Sequence, residues 1–254
     1  TLKKADKFAS DCDAFFAALK GSNIVTLSLQ KTGIGPVTLR KLATSLPAAL
    51  TSINCLMNPI GEDGLATLVS AVKDSSVRSI CGLTDGQTTA DFSGMGLGPF
   101  DCKIMKAEFD FHGAIAAIAR LILDENPLTG GDRRDVDKDI TGVTALCDTL
   151  KTSSVTELGL AKCRLGPGSL GKLAEYVRDA EAAIARLSIS GNFITGSEPW
   201  NGVYDKDLSG LISLCDALLT LKNPIELDLS KCGLSVKGVN LVTKAIQASA
   251  AVEE

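Results

Sequence analysis

IARLSISGNFI, residues 184–194, is the stretch that decides how this chain folds. Leu187 and Ile189 are separated by one residue, which puts both on the same face of a short strand. Asn192 follows where the chain must turn and backbone groups need a polar partner. The same spacing returns in IVTLSLQKTGI (24–34), LTSINCLMNPI (50–60), IARLILDENPL (118–128), VTELGLAKCRL (155–165) and PIELDLSKCGL (224–234), the last with Pro224 in the first apolar slot. The turn column reads Thr32, Asn58, Asn126, Cys163, Asn192 and Cys232. Helical spacing follows, as in Leu39, Leu42 and Leu46 or Leu65, Leu68 and Val72. No unit can bury its apolar face alone, but stacked neighbours can, with parallel strands on one side and helices on the other.

Composition agrees with small identical layers. Apolar residues make up 45% of the 254 and aromatics only 4%, so the interior must be built from Leu, Ile, Val and Ala. The formal net charge is −4 with Lys and Arg scattered, which offers no footprint for nucleic acid or anionic lipid. No apolar run approaches the roughly 18 residues of a membrane span. None of the eight cysteines forms a CxxC pair, and His112 is the single histidine. Buried free thiols in a reducing, cytoplasmic compartment are expected. The alternative is a duplicated disulfide, since the Cys147–Cys163 spacing nearly recurs at Cys215–Cys232.

Two regions depart from the pattern. In VRSICGLTDGQTTADFSGMGL (77–97) two strand starts, Val77 with Ile80 and Ala90 with Phe92 and Leu97, lie too close for a helical crossover. A short irregular unit is expected there, with a hairpin through Asp85-Gly86. Elsewhere TGGDRRDVDKD (129–139) and TGSEPWNGVYDKD (195–207) are inserted at the same point of the repeat. The shared ending predicts that Asp139 and Asp207 cap helices opening at Ile140 and Leu208. Asp132, Asp135, Asp137 and Asp139 alternate as calcium ligands do, but Arg133, Arg134 and Lys138 stand among them and the second insert keeps only Asp205 and Asp207. Capping is therefore preferred and no metal is expected. His112, in DFHG, is read as a partly buried linker histidine, and GMGLGPF lacks the lysine of a phosphate loop.

These segments resemble leucine-rich repeats, specifically the cysteine-containing, helix-rich subfamily represented by ribonuclease inhibitor and the repeat regions of NOD-like receptors. The resemblance covers roughly residues 12–248 and rests on six segments fitting one eleven-residue template. It implies an α/β solenoid, a horseshoe with parallel concave strands and convex helices. A single domain over 1–254 is expected: a capping helix over 1–23 bearing Phe15, Phe16 and Leu19, repeats over 24–234, and a terminal helix and tail over 235–254. The resemblance implies non-enzymatic binding of another protein, with no catalytic residue and no cofactor. Ran GTPase activators look like the same subfamily, but they typically carry a long acidic tail where this sequence ends in AVEE. The sensor region of a larger receptor is the other alternative.

Outward strand positions bring Arg120, Glu157, Arg186 and Glu226 into one column, which reads as a self-satisfied ladder before it reads as a docking strip. Leu56 and Ile122 are expected to face outward, with Met57 beside Leu56, as a contact patch unless the irregular unit covers them. Trp200, the only tryptophan, and Tyr204 lie in the second insert and are the remaining candidates for partner binding. The alternative for both rings is that they pin the insert to the scaffold.

Overall fold

The computed structural model describes residues 5–111, 114–132 and 135–250, and His112 lies outside them. It is an α/β protein with parallel strands. Among the described residues the elements are α1 (Asp13–Lys20), β1 (Thr26–Ser28), α2 (Pro36–Ala43), β2 (Ser52–Asn54), α3 (Gly61–Lys73), β3 (Thr89–Asp91), α4 (Pro99–Asp110), β4 (Arg120–Ile122), α5 (Thr141–Leu150), β5 (Glu157–Gly159), α6 (Pro167–Asp179), β6 (Arg186–Ser188), α7 (Ser209–Leu218), β7 (Glu226–Asp228) and α8 (Val236–Ala250). No described helix is long and apolar enough to cross a membrane. Internal contacts divide the chain into two compact units, Thr1–Gln87 with Ile104–Ala117, and Thr88–Lys103 with Ile118–Glu254.

In the first unit β1 pairs in parallel with β2, Leu27 standing opposite Ile53. Phe16 and Leu19 of α1 are buried, as are Leu39 and Leu42 of α2 and Leu65, Leu68 and Val72 of α3. Beyond β2 the segment around Ser79–Cys81 adds single bridges to Ser52 and Asn54. The hairpin expected through Asp85-Gly86 is not formed: Ser79 and Cys81 bridge β2, whereas Thr89–Asp91 pairs with β4 in a different sheet. Both strand starts do bury their apolar residues, Val77 and Ile80 in one and Ala90, Phe92 and Leu97 in the other.

Glu108 of α4 ends the first sheet. Its Oε2 accepts hydrogen bonds from the Ile80 and Cys81 amides at 2.6 and 3.1 Å, taking the place a further strand's carbonyls would occupy. Its Oε1 is buried with no hydrogen-bond partner. Burial pushes the Glu108 carboxyl up to about 7 despite the donors from Ser79, Ile80 and Cys81.

In the second unit β3 to β7 form one parallel sheet in chain order. Ala90, Leu121, Leu158, Leu187 and Leu227 are in register down its inward face. All but Leu227 of the edge strand are buried, and they share the interior with Leu146 and Leu150 of α5, Leu170 and Leu173 of α6, and Leu211 and Leu214 of α7.

The units that follow the strands are of two kinds, and they alternate. Asn58, Asn126 and Asn192 are buried. The Asn192 Nδ2 donates to Ile189 of its own turn and to Leu160 of the preceding one, both at 2.8 Å, while its Oδ1 accepts from the Leu165 amide at 3.0 Å. Asn126 repeats this with Leu123, Phe92, Gly96 and Leu97, and Asn58 with Cys55, Leu29, Thr32 and Gly33. The intervening turns carry Cys163 or Cys232, whose thiols reach back to Leu123 at 3.1 Å and Ile189 at 3.4 Å and, in their own turns, to Ala161 at 3.4 Å and Ser230 at 3.6 Å. Helix starts alternate too. A Cβ on Gly142 or Gly210 would overlap the carbonyl oxygen of Pro99 or Pro167, the first residue of the preceding helix.

Two outcomes are expected. Asn192→Ala strands several buried backbone groups at once and should lower unfolding free energy by about 3 kcal/mol, measured by urea denaturation. Because the folded Glu108 carboxyl titrates above its ordinary value of 4.5, its contribution is complete below pH 4.5 and is lost as pH rises to about 7. Stability should therefore fall by roughly 3 kcal/mol from this group across that window, and Glu108→Gln should flatten that slope.

Candidate functional site

The outward face of the second sheet is a set of registered rows. Arg120, Glu157, Arg186 and Glu226 are direct cross-strand neighbours. Arg120 Nε lies 3.4 Å from Glu157 Oε2, and Arg186 NH1 lies 3.2 Å from Glu226 Oε2. The alternating charges thus satisfy one another, each exposed pair contributing about 0.2–1 kcal/mol. The next row runs Asp91, Ile122, Gly159, Ser188 and Asp228. Ile122 is half-buried there beside Gly159, whose absent side chain leaves it room: a Cβ would sit 3.2 Å from Ile122 Cγ2.

The second insert is a small braced structure. Glu198 and Val203 exchange backbone hydrogen bonds of 2.8 and 3.2 Å around the turn Pro199–Asn201. Glu198 also holds Asn201 at 2.9 Å and Lys206 at 3.3 Å. Buried Ser197 accepts the Asp205 amide at 3.0 Å, contacts Thr195 Oγ1 at 2.8 Å and donates to the Gly233 carbonyl at 2.7 Å, tying the insert to the next turn. Trp200 meets the Phe193 ring edge-on at 5.3 Å between centroids, yet remains 44% exposed. Val203 and Tyr204 are 39% and 48% exposed. The Trp200 ring is therefore braced and accessible at once, and Tyr204 is accessible on the same insert.

Each Asp-Lys-Asp ending performs two capping tasks. The second aspartate acts locally: Asp139 Oδ1 accepts from the Thr141 amide at 3.0 Å, and Asp207 Oδ1 from the Ser209 amide at 2.8 Å. The helices open one residue later than expected, at Thr141 and Ser209. The first aspartate reaches across to the next repeat. Asp137 accepts from the Gly166, Gly168 and Ser169 amides at 2.8, 2.7 and 3.1 Å, at the start of α6. Asp205 does the same for α8, accepting from Gly238 at 2.8 Å and Ser235 Oγ at 2.5 Å. Asp6 is a third copy, accepting from Gly35, Val37 and Thr38 at the start of α2. Partial burial raises the Asp205 carboxyl, but bonds from Ser235 and Gly238 outweigh it and hold the group below the usual range. Gly166 is required for this approach, since a Cβ there would lie 2.7 Å from Asp137 Oδ2.

Of the residues singled out from sequence, Trp200, Tyr204 and Ile122 fall in the second unit, and Leu56 and Met57 in the first. Leu56 is a correction: it is fully buried rather than outward. β2 ends at Asn54, whose Oδ1 accepts the Leu56 amide at 3.1 Å, so the strand alternation stops before it reaches Leu56. Met57 follows in a left-handed conformation, half-buried, its sulfur 3.6 Å from Gln30 Nε2. Sequence reasoning missed Val203 and the cross-repeat role of Asp6, Asp137 and Asp205. The Asp-Lys doublet at 6–7, repeated at 137–138 and 205–206, was the available signal.

The acidic alternation of the first insert is divided among separate tasks, with Asp137 and Asp139 capping and Asp135 3.4 Å from Lys138. Among the described residues no group of three or more His, Cys, Asp or Glu side chains could hold a metal. All eight cysteines are free, and seven are buried. Burial pushes the thiols of Cys55, Cys147 and Cys163 up to about 12 and that of Cys232 to about 11. No protein-family model matches the chain, and no curated protein matches it.

Asp205→Ala should lower unfolding free energy by about 1 kcal/mol, the usual cost of a lost helix cap. Hydrogen exchange should localise the loss to the first turn of α8, and exchange concentrated elsewhere would contradict the assignment.

Proposed function

We propose that the chain is a leucine-rich-repeat solenoid of the cysteine-containing subfamily that binds another protein without catalysis. The observation that carries this reading is the second insert: Trp200, Val203 and Tyr204 are adjacent, exposed and held on a hydrogen-bonded frame. Exposed aromatic side chains that are already ordered lose little freedom on binding, which is where recognition energy concentrates. Ile122, half-buried in the row beside the ion-paired one, supplies a second apolar contact. The six-fold recurrence of the strand template and the matching register of five strands support the solenoid. Binding rather than thiol chemistry is favoured because the buried thiols named above stay protonated at neutral pH. Thiols kept in this form suit a reducing, cytoplasmic setting.

The test is affinity capture from extract of the source cells, followed by binding measurements on whichever purified partner is recovered. Trp200→Ala/Tyr204→Ala should weaken that partner by at least about 30-fold, with circular dichroism unchanged. Ile122→Asp should weaken it less. Equal binding by the wild type and the double variant would remove the insert from the recognition surface.

A further inference from the structure

One shared position in the turns after β4 to β7 is left-handed in all four, at Glu125, Lys162, Gly191 and Lys231. Glu125, Lys162 and Lys231 carry long charged side chains; Gly191 carries none. The missing side chain opens a cleft of about 490 Å³ lined by Glu125, Lys162, Arg164 and Lys231 together with Pro127, Val136 and Phe193. Nothing larger than hydrogen fits at Gly191 without displacing Lys162, whose Cγ would lie 2.8 Å from a Cβ there. Because β5, β6 and β7 are consecutive neighbours, Lys162 and Lys231 stand two strand spacings apart, about 10 Å, on either side of the gap.

The lining of the cleft is net basic. Three cations line it against one carboxylate, on a chain whose formal charge is −4. Lys162 is engaged with Glu125 at 2.7 Å, and Arg164 NH1 is turned to the backbone carbonyls of Gly130 and Gly131. Lys231 has no carboxylate partner among the described residues. Apolar walls from Pro127, Val136 and Phe193 complete the site, and Phe193 is the ring against which Trp200 packs.

We propose that this cleft takes an acidic peptide segment of a partner protein, a carboxylate lying between Lys162 and Lys231 and an adjacent apolar side chain against Phe193. The proposal rests on the protein-binding reading above and gives the partner its chemistry. A phosphate backbone fits less well, because it needs a continuous basic track. Here the adjoining strand column alternates Arg120, Glu157, Arg186 and Glu226. An acidic residue flanked by apolar ones matches both the cations and the walls, and a partly enclosed cleft screens the pairing less than open surface does.

The experiment is fluorescence anisotropy with a short labelled peptide of alternating aspartate and leucine. An alternating lysine and leucine peptide and an oligothymidylate of similar length serve as comparisons. The acidic peptide should bind and the basic one should not. Lys231→Glu should weaken binding about tenfold, the effect of reversing one charge at a close pair. Glutamate is already accommodated in this left-handed column at Glu125. Lys222→Glu, an equal charge change outside the cleft lining, should leave affinity within about twofold. Binding of both peptides alike, equal weakening by the two glutamate variants, or tighter binding of the oligothymidylate would each overturn the proposal. If the peptide result fails while a partner still depends on Trp200 and Tyr204, the cleft is wrong and the protein-binding reading stands. Peptide binding that depends on Lys231, with a captured partner indifferent to Trp200→Ala/Tyr204→Ala, keeps the cleft and removes the insert from the recognition surface.

Discussion

A buried carboxamide that is bonded in two directions sets the order of this molecule. The Asn192 amide nitrogen closes its own turn and grips the one before it, while its oxygen receives an amide from that same preceding turn. In a dry interior these groups have no water to fall back on, so each bond that is missed leaves a costly orphan. The Cys163 thiol also reaches both turns, at Leu123 and Ala161, but a thiol makes only weak hydrogen bonds where the carboxamide makes strong ones. Asparagine turns alternate with turns of the weaker kind: Thr32 precedes Asn58 in the first unit, and Asn126, Cys163, Asn192 and Cys232 alternate in the second.

The same alternation governs the helices. After Thr32 and Cys163 a Gly-Pro pair opens the helix, Gly35-Pro36 and Gly166-Pro167, whereas after Cys232 the helix opens at Ser235-Val236. The proline has no amide to satisfy at that position. Two of the asparagine turns are followed by inserts, and these do more than protrude. Asp137 and Asp205 each return to cap the next helix, so an insert that lengthens one repeat also fastens the one after it. Trp200, packed on Phe193, stands exposed on the braced second insert, and a side chain ordered in advance is one for which binding costs least.

The strand template, the helical spacing and the turn column were legible because they are local: period two, period 3.6 and a polar residue at a fixed offset. The charge column was equally legible, since once the strands are known to be parallel and consecutive, Arg120 through Glu226 can only meet one another. Leu56 was misread because alternation holds only while the strand lasts, and where the strand stops depends on an Asx turn at Asn54 that the apolar pattern does not encode.

By itself the sequence determined the parallel α/β architecture, the two insert positions and the local caps at Asp139 and Asp207, since all depend on residues a few places apart. Only the tertiary structure decided that Asp6, Asp137 and Asp205 cap helices about thirty residues away. It alone decided that Glu108 closes the first sheet and that Gly191 opens a cleft between two lysines. Each of these joins groups brought together by stacking, across separations that no short-range pattern spans. The buried Glu108 carboxylate is the plainest case: in the sequence it is one more acidic residue on a helix, and its place at the end of the first sheet comes from the packing around it.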